Sequence, residues 1–456
     1  MLRSFSIQQN ELQDNFYPSF YLFKKKIDSF EKSNNFIYFN LGDKNVLEIL
    51  TDGEHAGQVF VEKGATFIKN SYVKRYNISE LEETYISEEK NNQLQRSQLQ
   101  RGDVLFTTIG NIWISAVVNE NLKHANINQN VVRMRINEKK TNPYYLSCFL
   151  NSKITRFQVD NLFTGNIYPI LTYPKIKSIK VVIKDKKTEK VITEMLKKAE
   201  INHDQSLKLI QKAQNLLKSK LNVDFKKISD SMFFSISQKE FSEQDMRNPT
   251  FFKPLYTNTI EAIKKNNETV LLGNIADFKN GDEVWSENYK GYLEKKITDI
   301  PFIRTSDLIN YEIDQYPDFY IDEEIYESIG QNIIEDEILL TKDGKIGLGG
   351  MITKNDKCIL GSGILRIVPK QNKINPYYLF TILSIKEIGI YQANQRTVIA
   401  STIPHLRPDR ISDFVIPIVK DQQEIIDLVK QAFELKDERK RLIQEAKTIL
   451  EKSLDF

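Results

Sequence analysis

Two short polar triplets carry the most legible chemistry in this sequence. Lys69-Asn70-Ser71 and Arg304-Thr305-Ser306 each follow a Phe-Ile pair, and each sets a cation beside side chains that donate and accept hydrogen bonds. Such groups meet phosphate oxygens or the edges of bases. Further loop positions of the same kind are Thr108 and Asn111, Lys342 and Lys345, Asn166 in TGNIYP, and Gln395-Arg396-Thr397 in NQRTVIASTIP. Singly, each reads as a solvated loop residue; their repeated placement favours a binding edge.

No catalytic constellation accompanies them. Asn142-Pro143-Tyr144-Tyr145 and Asn375-Pro376-Tyr377-Tyr378 resemble the NPPY signature of amino-methyltransferases, in which Asn and Pro hold the target amine. The second Pro is missing in both, and no Gly-rich strand-to-helix turn for a nucleotide cofactor precedes either. A helix start is the better account: Asn caps, and Pro suits the first helical position, where its missing N–H has no intrahelical partner. The glycine-rich run from Gly344 to Gly350 lacks the spacing and Lys-Ser/Thr ending of a phosphate loop. His55, His124, His203 and His405 stand in unrelated contexts without metal-ligand spacing. The acidic runs Glu88-Glu89 and Asp322-Glu323-Glu324 lack a supporting nuclease pattern. Neither a catalytic residue, a metal nor a cofactor is expected.

The elements that must position the triplets are written twice. Asn142-Pro143-Tyr144-Tyr145-Leu146 recurs 233 positions on as Asn375-Pro376-Tyr377-Tyr378-Leu379, and KLIQKAQNLLKSKL from Lys208 recurs at the same offset as RLIQEAKTILEKSL from Arg441. Val104-Leu105-Phe106-Thr107 matches Ile338-Leu339-Leu340-Thr341 at an offset of 234, and Phe67-Ile68-Lys69 matches Phe302-Ile303-Arg304 at 235. Blocks in one order at nearly one offset indicate duplication of a whole domain and its trailing element. Runs such as DVLFTTIG, NVVRMRI, DEILLTKDG and GILRIVP, rich in β-branched and aromatic residues between turn formers, read as strands.

Each copy ends in a helix. Ile192, Met195, Ala199, Asn202, Ser206, Leu209, Ala213 and Leu216 alternate three- and four-residue steps, as do Ile425, Leu428, Ala432, Leu435, Arg439, Leu442, Ala446 and Ile449. That is a heptad seam, uninterrupted by Gly or Pro over residues 188 to 221, a length of about 50 Å at 1.5 Å per residue. Equivalence of the copies predicts a pseudo-two-fold arrangement with the helices antiparallel. Small Ala199, Ala213, Ala432 and Ala446 permit close approach, and polar Asn202 and Ser206 are weak points able to fix register. The expected fold class is α+β: a β-rich recognition domain over 1–187, a central spacer helix over 188–228, a second recognition domain over 229–420, and a terminal spacer helix over 421–456.

Composition bounds the class without choosing it. The chain of 456 residues carries 64 Lys plus Arg against 61 Asp plus Glu, a net charge of +3, so any phosphate-binding surface must be local. No stretch approaches the roughly 20 apolar residues of a membrane span, and the first residues have no apolar run after Arg3. The two cysteines, Cys148 and Cys358, are too few for a disulfide framework and read as buried free thiols in a cytoplasmic protein.

Taken in order, PFIRTSDL, DEILLTKDGKIG, NPYYLF and the VIPIVKDQQEII junction into the last helix resemble the DNA specificity subunit of Type I restriction-modification enzymes, over nearly the whole chain. The resemblance implies that each domain reads one half of a split, asymmetric double-stranded DNA target. It further implies that the helices set the spacing and dock two copies of an adenine methyltransferase subunit, to which a translocating nuclease subunit can be added. The first copy differs locally: Trp113 and Ile114 stand where the second has Gly347 and Leu348. Competing readings are a specificity partner of another methylation-based defence system, a free-standing methyltransferase or nuclease, and a coiled-coil adaptor. The missing motifs disfavour the enzymes, and the two β-rich domains disfavour the adaptor.

Overall fold

A computed structural model describes residues 21, 25, 28, 29, 32 and 36–455, apart from 82–83, 111, 161–169, 232, 245, 247, 293–297, 348 and 401–402. The chain divides into two compact units, Met1–Ile201 with Arg439–Phe456, and Asn202–Glu438.

In the first unit, a four-stranded antiparallel sheet runs in the order Leu47–Asp52, Val131–Ile136, Val104–Thr107, Ser115–Val117. The second unit repeats this order with Ala276–Asn280, Ile364–Pro369, Ile338–Thr341 and Gly349–Met351. The central strands, VVRMRI and VLFT in one and ILRIVP and ILLT in the other, are buried over most of their length, which explains their near-continuous apolar character. A smaller sheet stands beside each: Ala65–Ile68 pairs parallel with Ala125–Ile127, and Ile300–Ile303 pairs parallel with Ile359–Leu360. These edges deliver the two polar triplets.

The NPYY segments are capped helices, as expected. Asn142 Oδ1 accepts from Tyr144 N at 3.0 Å ahead of helix Pro143–Leu150, and Asn375 Oδ1 accepts from Tyr377 N at 2.9 Å ahead of helix Pro376–Ser384. The second tyrosine of each is fully buried and anchors its helix on a backbone carbonyl. Tyr145 donates to Val182 O at 2.7 Å, and Tyr378 donates to Pro417 O at 2.9 Å. With the tyrosines spent inside the core, the motif holds a helix rather than a substrate amine.

The two tails are the helices Lys186–Lys220 and Gln423–Ser453. Within the second unit they run antiparallel: Asn202 Nδ2 donates to Glu438 Oε2 at 3.1 Å, Lys212 pairs with Glu424 at 3.7 Å, and Lys220 pairs with Asp421 at 3.0 Å. Of the expected seam, Ile192, Ala199, Ala213, Ile425, Leu428, Ala432, Leu442 and Ala446 are buried. Met195, Leu209, Leu216 and Ile449 are only half-buried, and Leu196, Ile210, Leu217, Val429, Phe433, Ile443 and Leu450 are buried beside them. In the second unit the reason is visible. Ile210, Leu217, Val429 and Phe433 join one cluster with Tyr378, Leu379 and Phe380, so the helices pack on the β-rich layer as well as on each other. Cys148 and Cys358 are both buried, and neither is in a disulfide. No described helix is long and apolar enough to cross a membrane.

Candidate nucleic-acid interface

In the first unit, the loop leaving strand Val104–Thr107 is held from three sides. Thr108 donates from N and from Oγ1 to Asn130 O, at 3.0 and 3.2 Å, while its own carbonyl accepts from Leu171 N at 2.9 Å. Ile109 forms an antiparallel bridge with Ile170, and its carbonyl accepts from Asn70 Nδ2 at 2.9 Å. Gly110 follows with φ +75, a left-handed turn that suits a residue without Cβ. Asn70 and Thr108 are thereby brought together, with Thr108 buried. Ser71 is exposed beside them, and Lys69 lies over the Phe60 ring at 4.5 Å and the Tyr72 ring at 5.8 Å. Asn111 and Asn166 fall outside the described residues.

The second unit builds the same frame. Lys342 N donates to Gly363 O at 2.9 Å, Leu406 N donates to Lys342 O at 2.7 Å, and Asp343 bridges His405 antiparallel. Gly344 has φ +73 and donates to Pro404 O at 3.0 Å. Here the bridge also joins side chains, with His405 Nδ1 2.6 Å from Asp343 Oδ1. Lys342 Nζ donates to Asn280 Oδ1 at 3.0 Å, and Lys345 is exposed on the adjoining turn. A Cβ built on Gly363 would lie 2.9 Å from Thr305 Cγ2 and 3.4 Å from Asp343 Oδ2, so Thr305 and Asp343 both border Gly363, whose carbonyl accepts from Lys342 N. Exposed Ser306 adjoins it. Arg304 stacks over Phe319 at 4.2 Å from the ring centroid, with Asp318 at 3.4 Å and Asp307 at 3.7 Å.

The third predicted cluster behaves differently. Gln395 and Arg396 are buried: Gln395 donates to Phe251 O at 2.8 Å, and Arg396 donates to Gln392 O at 3.1 Å and faces the Phe414 ring. Burial pulls the Arg396 guanidinium down to about 10. Thr397 is half-buried and donates to Ala393 O at 2.8 Å. Gln395 and Arg396 brace a helix end inside the unit, whereas Thr397 opens a strand paired antiparallel with the segment that bridges the loop, Thr397 opposite Leu406.

Sequence reasoning missed Asn280, Asp343, Gly363 and His405, and Ile109, Asn130 and Ile170 in the first unit. Ile109 and Asp343 carried a positional signal, each standing next to a glycine aligned between the copies, and Ile170 and His405 bridge to them.

Residues 264–448 match the family described as Type I restriction modification DNA specificity domain. No curated protein matches the chain. Among solved structures, the Type-I restriction-modification system S subunit from M. genitalium is 14% identical, with 92% of this chain and 95% of that one covered at a TM-score of 0.33. The HsdS subunit from Thermoanaerobacter tengcongensis is also 14% identical, with 92% and 97% covered at a TM-score of 0.28.

Proposed function

We propose that this chain, whose residues 264–448 match the Type I restriction modification DNA specificity domain, is the non-catalytic specificity subunit of such a system and that each unit reads one half of a split, asymmetric DNA target. The observation that carries this is a single backbone frame used twice with different side chains. Thr108-Ile109-Gly110 and Lys342-Asp343-Gly344 follow equivalent strands, turn through the same left-handed glycine and hold equivalent bridges, yet offer different chemistry. Equal frames place two readers in equal ways, and unequal side chains give them different bases to prefer.

In this reading Lys69, Ser71, Arg304, Ser306, Lys342 and Lys345 approach the duplex, while Asn70, Thr108 and Thr305 set the loops that present them. The two long helices set the half-site spacing and dock two adenine methyltransferase subunits, through which a nuclease subunit joins. Catalysis resides in those partners. Mapping methylated adenines genome-wide, in cells with and without this chain, tests the reading. A bipartite, asymmetric motif that vanishes with the chain is expected. A continuous or perfectly palindromic motif overturns it.

A further inference from the structure

In each unit the candidate loop makes one isolated bridge to a distant segment, and the bridging residues differ in kind. Ile109 pairs with Ile170, and Asp343 pairs with His405. The two pairs share one address. Ile109 and Asp343 each precede the glycine of positive φ, and Ile170 and His405 each precede the leucine whose N–H donates to the loop carbonyl. Neither pair is core: Ile170 is 41% exposed, and the His405 and Asp343 side chains are 42% and 35% exposed. An exposed isoleucine in one unit and a linked carboxylate and imidazole at the same place in the other are hard to assign to folding, since the backbone bonds are made in both.

We propose that the Asp343–His405 pair is a specificity-determining element of the second unit, accepting a hydrogen bond from the exocyclic amine of an adenine or cytosine. At the same address in the first unit, Ile109 and Ile170 meet an apolar base edge, the thymine methyl. The proposal rests on the DNA-reading role above. The chemistry follows from the pairing. In the tautomer with Nδ1 donating to Asp343 Oδ1, Nε2 is an acceptor, and the carboxylate's Oδ2 is a second one. Two acceptors carrying a negative charge suit the amino group at adenine N6 or cytosine N4 and repel the N7 and O6 acceptors of guanine. They also repel phosphate, so backbone neutralisation falls to neighbours such as Lys342 and Lys345.

The test is selection of DNA by the full-length chain from a library randomised in both half-sites, followed by sequencing. The parental chain is expected to prefer adenine or cytosine at one position of one half-site. Asp343→Asn, which keeps the shape of the loop and turns an acceptor into a donor, is expected to reduce that preference about ten-fold and leave the other half-site unchanged. Asp343→Ile with His405→Ile, which installs the pair the first unit already tolerates, is expected to move that position toward thymine. A parental preference that survives both changes overturns the inference, as does guanine at the affected position. Loss of all binding by folded Asp343→Asn also overturns it, because a reader of one base controls one position. A parental chain that enriches nothing overturns the DNA-reading role itself and this inference with it, an outcome distinct from a motif that ignores the variants.

Discussion

Arg366 meets Glu337 in a buried two-pronged ion pair, Nε 2.7 Å from Oε2 and Nη2 2.8 Å from Oε1. Nη1 and Nη2 also serve the carbonyls of Gln331 and Asn332, at 2.8 and 2.9 Å. At the matching place in the first unit Arg133 is ion-paired with buried Asp103, Nε 2.7 Å from Oδ2, while Arg135 supplies the two-pronged hydrogen bonds to the same carboxylate. In both, an arginine on the central strand ties down the turn that launches the strand carrying the candidate loop.

Removing one partner leaves a charge buried without its complement, which costs about 3–5 kcal/mol. Arg366→Ala should therefore lower the urea midpoint at which Cys358 becomes reactive to a thiol reagent, and lower it more than that of Cys148. Arg366→Met combined with Glu337→Met, which buries no charge, should recover most of the loss.

Burial pushes the Cys148 thiol up to about 12 from its ordinary 9.0. Below pH 9 both folded and unfolded chains keep the proton, and the shift has no effect on stability. As pH rises from there toward 12 the unfolded chain ionises first, so the first unit loses up to about 1.4 kcal/mol of stability per pH unit from this group. Cys148→Ala should flatten the alkaline limb of a stability-against-pH curve measured by urea unfolding. An unchanged limb contradicts the assignment.

Lys69→Ala and Arg304→Ala should each weaken DNA binding and reduce the slope of log affinity against log salt by about one phosphate contact. Both cations lie over aromatic rings that limit their freedom, and Arg304 is further held by Asp318. Fluorescence titration across a salt series checks this; two slopes equal to the parental one move the phosphate-binding edge elsewhere.

Tyr145→Phe and Tyr378→Phe remove hydroxyls that satisfy the buried carbonyls of Val182 and Pro417, at a cost of about 1–3 kcal/mol each. The assembled complex should still methylate the same motif at the same sites. A methylation defect in a variant that remains fully folded would assign the NPYY segments a role beyond helix capping.

How much of this was legible follows the range of the contacts. The duplication, the central strands, the capped NPYY helices and the long tails rest on local pattern, and the sequence displays local pattern directly. The Arg366–Glu337 pair spans 29 residues and the Asp343–His405 pair 62, with no periodicity to announce either. Glu337 reads as an ordinary turn residue and His405 as an isolated histidine until the fold brings their partners. Gln395 and Arg396, expected on a loop, are buried. Their composition is that of a surface loop, and acceptors supplied by the fold, the carbonyls of Phe251, Gln392 and Asp413, make an interior position tolerable for them. Leu209 and Leu216 gave way to Ile210 and Leu217 because a two-helix seam is narrower than the face a helix shows to a partner and a sheet together.

Trp113 and Gly347 occupy one backbone position, with φ +70 and φ +79. Glycine reaches that conformation without strain, whereas a side chain as large as tryptophan is an outlier there. Trp113 is buried, with the Arg75 guanidinium 5.1 Å from its ring. The two states are therefore not equally easy to leave. A glycine ancestor could take on an indole only once a cavity able to receive it had formed, and a return to glycine would leave that cavity empty. Such a position acts as a ratchet: once the copies have diverged there, the tryptophan-bearing one is committed, and later change accumulates around it.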